Sequence, residues 1–108
     1  MKWDIKRGDI IMCDLGMHSG SVQSGIRPCV VVSNDTGNKY STIYTVVPLT
    51  TKLKHDLPTH VCLAPNSYAL CEQCTTISEQ QVLRTKRECI GADQMKQIDN
   101  ALCVALDL

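Results

Sequence analysis

Phenylalanine is absent from this chain of 108 residues, and one tryptophan and three tyrosines are its only aromatic side chains. An RNA-binding surface built on rows of stacked aromatics is therefore not expected. Excess charge of either sign is missing too, since eleven basic and eleven acidic residues cancel. That balance argues against a non-specific nucleic-acid coat protein, while leaving room for a compact site with a few placed cations. No apolar run approaches the roughly 20 residues of a membrane span. Met1-Lys2-Trp3-Asp4 lacks the charged-then-apolar layout of a secretory signal. Without one, seven cysteines, an odd count, read as reduced thiols in the cytoplasm. Repeats, low-complexity tracts and linker-like stretches are absent as well. One domain over residues 1–108 is expected, burying about 60–70% of its extended-chain surface.

What is present is mostly strand signal. Asp9 to Leu15, Arg27 to Ser33, Ser41 to Leu49, Thr59 to Leu63 and Cys71 to Ile77 are rich in β-formers, and Glu88 to Ile90 is a further short candidate. Turn residues separate them at Asn34–Asn38, Lys54–Asp56 and Ala64–Ser67. Ser78 is placed to cap a short helical turn over Glu79 to Leu83. The C-terminus changes period: Met95, Ile98, Leu102, Ala105 and Leu106 recur at helical spacing, with Asp93 as the expected N-cap. Short strands followed by one amphipathic helix predict a small barrel or curled sheet closed by that helix.

The densest signal is Gly20-Ser21-Val22-Gln23-Ser24-Gly25-Ile26-Arg27-Pro28, running into Cys29-Val30-Val31-Val32. A polar loop delivers one arginine to a strand entrance, and Pro28 restricts the backbone on both sides of the junction. A guanidinium fixed at a sheet edge is placed to grip a phosphate. Pairing of Arg27 with Asp9 or Asp14 is the structural alternative.

Five segments together resemble the toxin family of the MazF, PemK and Kid proteins, over nearly the whole chain. They are Lys6-Arg7-Gly8-Asp9-Ile10, Gly25 to Asp35 around Arg27-Pro28, Val46-Val47-Pro48-Leu49-Thr50, Leu57-Pro58-Thr59-His60-Val61, and Glu72-Gln73-Cys74-Thr75-Thr76-Ile77. The resemblance implies a mainly β fold, an SH3-like barrel with a C-terminal helix, paired as a homodimer. It also implies a sequence-specific, ribosome-independent endoribonuclease acting on single-stranded mRNA, and an antitoxin peptide that competes for the RNA groove. Such a peptide is acidic and disordered when free.

The reaction such a family performs uses the RNA itself. The 2′-hydroxyl attacks the adjacent phosphorus, the 5′-oxygen leaves, and a 2′,3′-cyclic phosphate results, with no metal or other cofactor required. By the resemblance, Arg27 stabilises charge at phosphorus and Thr50 donates to a phosphate oxygen, with Thr51 the alternative if the register slips by one. Ser21, Gln23, Thr51, Lys52, Lys54, Glu72 and Gln73 are the candidate substrate-binding residues. His55 shares the basic loop of Lys52 and Lys54. Two departures stand out. Many relatives carry an acidic residue where this chain has Val22, and an arginine where it has Thr75. Glu72 is then the remaining carboxylate candidate; its structural alternative is a salt bridge holding Arg27. His18 lies near the loop but off the position where some relatives carry histidine.

Two features are read as decoys. Cys71-Glu72-Gln73-Cys74 has redox or zinc spacing but no second pair, and on an extended strand its thiols would face opposite ways. His60 is read as a structural histidine. Two other functions share the scaffold. One is a gyrase-binding, CcdB-like toxin that cuts nothing, although the ending Val104-Ala105-Leu106-Asp107-Leu108 lacks the aromatic and glycine residues of those relatives. The other is a silent RNA-binding barrel.

Overall fold

The computed structural model describes residues 3–108, with the side chains of Lys86 and Arg87 left aside; Met1 and Lys2 of the leading tetrapeptide lie outside the described residues. Strand β1 (Asp9–Asp14) is followed by β2 (Ile26–Val31), helix α1 (Asp35–Tyr40) and β3 (Ile43–Thr50). Then come β4 (His60–Ala64), β5 (Ser67–Leu70), β6 (Thr75–Ser78), β7 (Val82–Cys89) and helix α2 (Ala92–Leu106). The strands run β4-β5-β3-β2-β1-β7, with β6 also on β3. Every pairing is antiparallel. The sheet curls into a half-barrel closed by α2, the fold class expected from the sequence.

Strand β3 is the hinge of this arrangement. Along one edge it meets β6 from Ile43 to Val46 and then β5 at Leu49 and Thr50. Pro48, which has no N–H to give, falls between these two partners. The runs Cys29–Val32 and Val46–Leu49 are nearly continuous in apolar residues because β2 and β3 are buried on both faces. Cys29, Val31 and Val46 join Ile11, Tyr44 and Ile77 in one cluster, whereas Val30, Val32, Val47 and Leu49 join Val61, Ile98 and Ala101 in the other. The second cluster lies under α2.

Helix α2 is pinned from outside its apolar stripe. The Arg7 guanidinium donates from Nε to the Val32 carbonyl at 2.9 Å and meets the Asp99 carboxylate. The Gln94 carboxamide accepts from Gly91 N–H at 3.1 Å and donates to Leu63 O. Gly91, not Asp93, is the N-cap, and Asp93 sits in the first turn where its charge suits the helix dipole. Within the stripe Ile98 is buried as expected, Ala101 is buried although unassigned, and Leu106 is exposed.

Three local expectations change. Asn34–Asn38 is not merely a turn: Asn34 caps α1 by accepting from Gly37 N–H at 2.7 Å, and Asp35 accepts from Arg7 N–H at 2.6 Å. The turn capped by Ser78 is 3₁₀ and stops at Gln81, since Val82 and Leu83 begin β7. Cys71–Gln73 is a 3₁₀ turn and not strand. Strand β5 had no sequence expectation; it follows a tight hairpin in which Asn66 takes a left-handed φ of 61°.

Candidate functional site

The ladder between β2 and β3 ends with Cys29 opposite Pro48. Two residues further along each strand stand Arg27 and Thr50, so continuing that register sets them opposite each other. Alternation puts Arg27 on the same side of β2 as Cys29, and Thr50 on the same side of β3 as Pro48. Both candidates therefore extend the face of the first core cluster past its end. Thr50 is the last residue of β3, and Thr51 lies beyond the strand.

Arg27 is half-buried, and its Nε donates to Ser24 O at 3.1 Å. Among the described residues it forms no ion pair. The pairing considered with Asp9 or Asp14 is not found, because each carboxylate is occupied locally. Asp9 accepts from Lys6 N–H and Asp14 from Gly16 N–H, both at 2.9 Å. The terminal guanidinium nitrogens thus stay free of a carboxylate partner. That is what a phosphate-gripping cation requires.

The loop before Arg27 is more tightly held than its composition suggests. Its base is closed by Leu15 N–H to Gly25 O and Gly25 N–H to Gly16 O. Gly16 and Gly25 both take positive φ, near 79° and 78°, a conformation glycine adopts without Cβ strain. Gln73 reaches across from the 3₁₀ turn. Its Oε1 accepts from Gln23 N–H at 2.7 Å and its Nε2 donates to Ser21 O at 3.0 Å. Gln73 therefore acts on the loop backbone, a role its spacing did not reveal. His18 is tied into the same loop, its Nε2 2.7 Å from Leu15 O.

Beside this loop opens a cleft of about 200 Å³. Leu15, Val22, Pro48 and Ile77 form its apolar lining. Its polar walls are His18, Gln23, Gln73, Thr75, Thr76 and Gln81. Arg27 and Thr50 are not lining residues; they lie one strand step beyond Pro48 and its partner. Thr51, Lys52, Lys54 and His55 are exposed in the segment that follows Thr50. The Thr50 hydroxyl donates to Lys52 O at 3.1 Å and accepts from Lys52 N–H at 3.4 Å, bending that segment at its start.

Glu72 does not hold Arg27. Its carboxylate accepts from the Thr59 hydroxyl at 3.0 Å and lies 2.7 Å from His60 Nε2. Burial opposes ionisation of Glu72, yet hydrogen bonds from His60, its own backbone and Thr59, with the His60 charge, outweigh it and hold the carboxyl below its ordinary value of 4.5. A folded value below the unfolded one means stability that is full above the unfolded value and fades as pH falls through the folded one. Glu72→Gln is accordingly expected to flatten part of the acid loss of stability, followed as melting temperature between about pH 6 and 3. His60, read as structural, is tied to Glu72 through Nε2, while among the described residues its buried Nδ1 has no partner.

Cys71 opens the 3₁₀ turn and Cys74 caps its end, so the thiols do not face opposite ways as on a strand. Burial, then the nearby Glu72 and Cys74, push the Cys71 thiol up to about 12, and burial raises Cys74 too. Thiols raised in this way are poor nucleophiles. Among the described residues no group of three or more His, Cys, Asp or Glu is placed to hold a metal ion. Among the described residues no helix is long and apolar enough to cross a membrane.

Residues 6–106 match the family model described as "PemK-like, MazF-like toxin of type II toxin-antitoxin system". The chain belongs to that family. Among solved structures, it is similar to an endoribonuclease in complex with its cognate antitoxin from a mycobacterial species, at 27% identity and TM-score 0.75, covering 96% of this chain and 94% of that one. The M. tuberculosis toxin MazF-mt6 is 24% identical, with TM-score 0.76 and coverage of 93% and 97%. MazF from Deinococcus radiodurans shares 19% identity but superposes at TM-score 0.84 over 99% and 100% of the chains. The last two speak to the PemK/MazF fold alone.

Proposed function

We propose that this family member is the toxin of a toxin–antitoxin pair and works as a sequence-specific, ribosome-independent endoribonuclease on single-stranded mRNA. The observation that supports the proposal is the register of β2 and β3, Cys29 opposite Pro48, which if continued by two residues on each strand pairs Thr50 with Arg27, a guanidinium without a carboxylate partner among the described residues. Arg27 neutralises the charge that builds on the phosphate oxygens as the 2′-hydroxyl oxygen bonds to phosphorus. Thr50 exchanges its bond to Lys52 O for one to a phosphate oxygen. The 2′-hydroxyl proton passes to solvent water, the 5′-oxygen leaves and takes a proton from water, and the products are a 2′,3′-cyclic phosphate and a 5′-hydroxyl. DNA lacks the attacking group and is not cut. Val22 stands where relatives carry an acidic residue, so no proton transfer is assigned to that position.

Lys52 and Lys54 track the RNA backbone, and Ser21 and Gln23 contribute hydrogen-bonding groups from the loop before Arg27. Glu72 and Gln73 serve the groove indirectly, Glu72 by fixing Thr59 and His60 and Gln73 by fixing the loop. The protein acts as a cytoplasmic homodimer with RNA across the interface, and an acidic antitoxin segment occupies the same groove. The antitoxin-bound mycobacterial endoribonuclease supports that partnership.

Incubating purified protein with mixed-sequence RNA in EDTA tests the reading. Cleavage at a restricted set of sequences is expected. Intact RNA with stalled gyrase would favour the gyrase-binding alternative, and bound but uncut RNA the silent barrel.

A further inference from the structure

Cys13 and Cys29 are fully buried members of the first core cluster, and the cleavage chemistry uses neither. Cys13 stands directly opposite Arg27 in the β1–β2 ladder, and Cys29 lies two residues beyond Arg27 on β2. All three residues therefore belong to one face of the hairpin. The two thiols share a hydrogen bond with 3.1 Å between their sulfurs. Both also converge on the Arg27 carbonyl oxygen, at 3.9 Å from Cys13 and 3.7 Å from Cys29. Among the described residues no other two thiols are bonded to each other.

Thiols react with oxidants as thiolates, and the pair divides that task. When Cys13 ionises, Cys29 becomes the donor of the shared bond. This holds Cys13 below its ordinary value of 9.0, against burial and the nearby Asp14 charge. The same bond, then burial, keeps the proton on Cys29, with the Arg27 charge pulling the other way. Cys13 is thus the attacking sulfur and Cys29 the resolving one. Cys13 is one residue from the end of β1, and fraying of that end admits an oxidant little larger than water.

We propose that Cys13 and Cys29 form a reversible disulfide on exposure to hydrogen peroxide, and that closing it displaces Arg27 and slows RNA cleavage. The Cys13 sulfur attacks one peroxide oxygen, the O–O bond breaks, and the departing hydroxide takes a proton to become water. The Cys29 sulfur gives up its proton and attacks the Cys13 sulfenic acid; the S–O bond breaks and a second water leaves. Two thiols lose two electrons, and one peroxide is reduced to two waters.

The coupling to Arg27 is geometric. A disulfide bond is about 2.05 Å long, so the sulfurs have to close from 3.1 Å. The pair is diagonal in the ladder, where Cα atoms of regular strands stand about 7–8 Å apart, beyond the usual 4.4–6.8 Å of a disulfide. The backbones of β1 and β2 therefore have to shift at the step that carries Arg27. A displacement of about 1 Å is enough to cost on the order of a hundredfold in rate. A disulfide closed against such strain is readily reduced, which suits a transient cytosolic bond.

The test compares a parent protein with its Cys13→Ala and Cys29→Ala variants, all carrying Cys62→Ser, Cys89→Ser and Cys103→Ser to silence the exposed thiols. Each is treated with hydrogen peroxide, digested without reduction and mapped by mass spectrometry. RNA cleavage is measured before treatment, after it, and after dithiothreitol. The parent is expected to yield linked Cys13 and Cys29 peptides and to cut on the order of 10- to 100-fold more slowly. Dithiothreitol is expected to restore its rate to within about twofold. Each alanine variant is expected to keep its own untreated rate at the same dose. The cross-link is read in the parent, so it stands even if an alanine variant folds poorly. Three results overturn the proposal: no Cys13–Cys29 link, a Cys71–Cys74 link in its place, or linked protein that cuts as fast as reduced protein. The effect on rate rests on the nuclease reading above, whereas the cross-link does not. RNA left uncut by the reduced parent overturns that reading and the effect on rate, while the peptide map still supports or sinks the disulfide.

Discussion

Arg27→Ala is expected to cut a defined RNA at least about a hundredfold more slowly than wild type, measured as single-turnover rate in EDTA. The size follows from what the side chain faces. Its terminal nitrogens have no carboxylate partner among the described residues, so its charge is not spent within the protein and is available to the pentacoordinate phosphorus. Stability should change little. The variant loses one hydrogen bond, to Ser24 O, worth about 1 kcal/mol and a few degrees of melting temperature in a chain of this size. Arg27→Lys should recover only part of the rate, because an ammonium cannot present the planar fork that matches two phosphate oxygens. Rapid cleavage by the alanine variant would remove Arg27 from the chemistry.

The second large effect is expected at Thr50. Thr50→Val keeps the shape and the β-branch but removes the hydroxyl, and kcat is expected to fall about a hundredfold, the usual cost of losing one donor aimed at developing charge. KM should move much less, since the donor matters most in the transition state. Thr51→Val, one residue past the strand, should stay within about threefold; the reverse pattern would mean the register had been read one step out. The Lys52 contacts make this a demanding test. If the hydroxyl only shapes the segment after β3, the loss should appear in KM and in the mobility of residues 51–54, with kcat preserved.

How far the sequence carried these conclusions differs between fold and site. The doubly buried strands were legible because Cys29–Val32 and Val46–Leu49 are too apolar to face water on either side. Strand β5 was not, since Ser67–Leu70 is four residues long and follows a turn signal that obscures it. Helix α1 was hidden because Asn34, Asp35 and Gly37 read as turn residues. Its support, a contact between Arg7 and Asp35, lies 28 residues away in sequence. Arg27 and Thr50 could be named from their motifs, but the register of β2 and β3 that relates their strands is contained in no single-sequence pattern. The partners of Glu72 were hidden for the same reason. Thr59, in the turn before β4, and His60, its first residue, lie 13 and 12 residues away, and nothing local to Glu72 shows that they claim both of its oxygens. The bonds from Gln73 to the loop, and the cleft beside them, were invisible, because they depend on contacts across 50 and 52 residues.

The most direct single measurement is the chemical identity of the ends left on RNA cut by wild-type protein in EDTA. Attack by the 2′-hydroxyl with Arg27 at phosphorus predicts 2′,3′-cyclic phosphate on the upstream fragment and a free 5′-hydroxyl on the downstream one. A 3′-hydroxyl paired with a 5′-phosphate would require water as the nucleophile and would contradict the account.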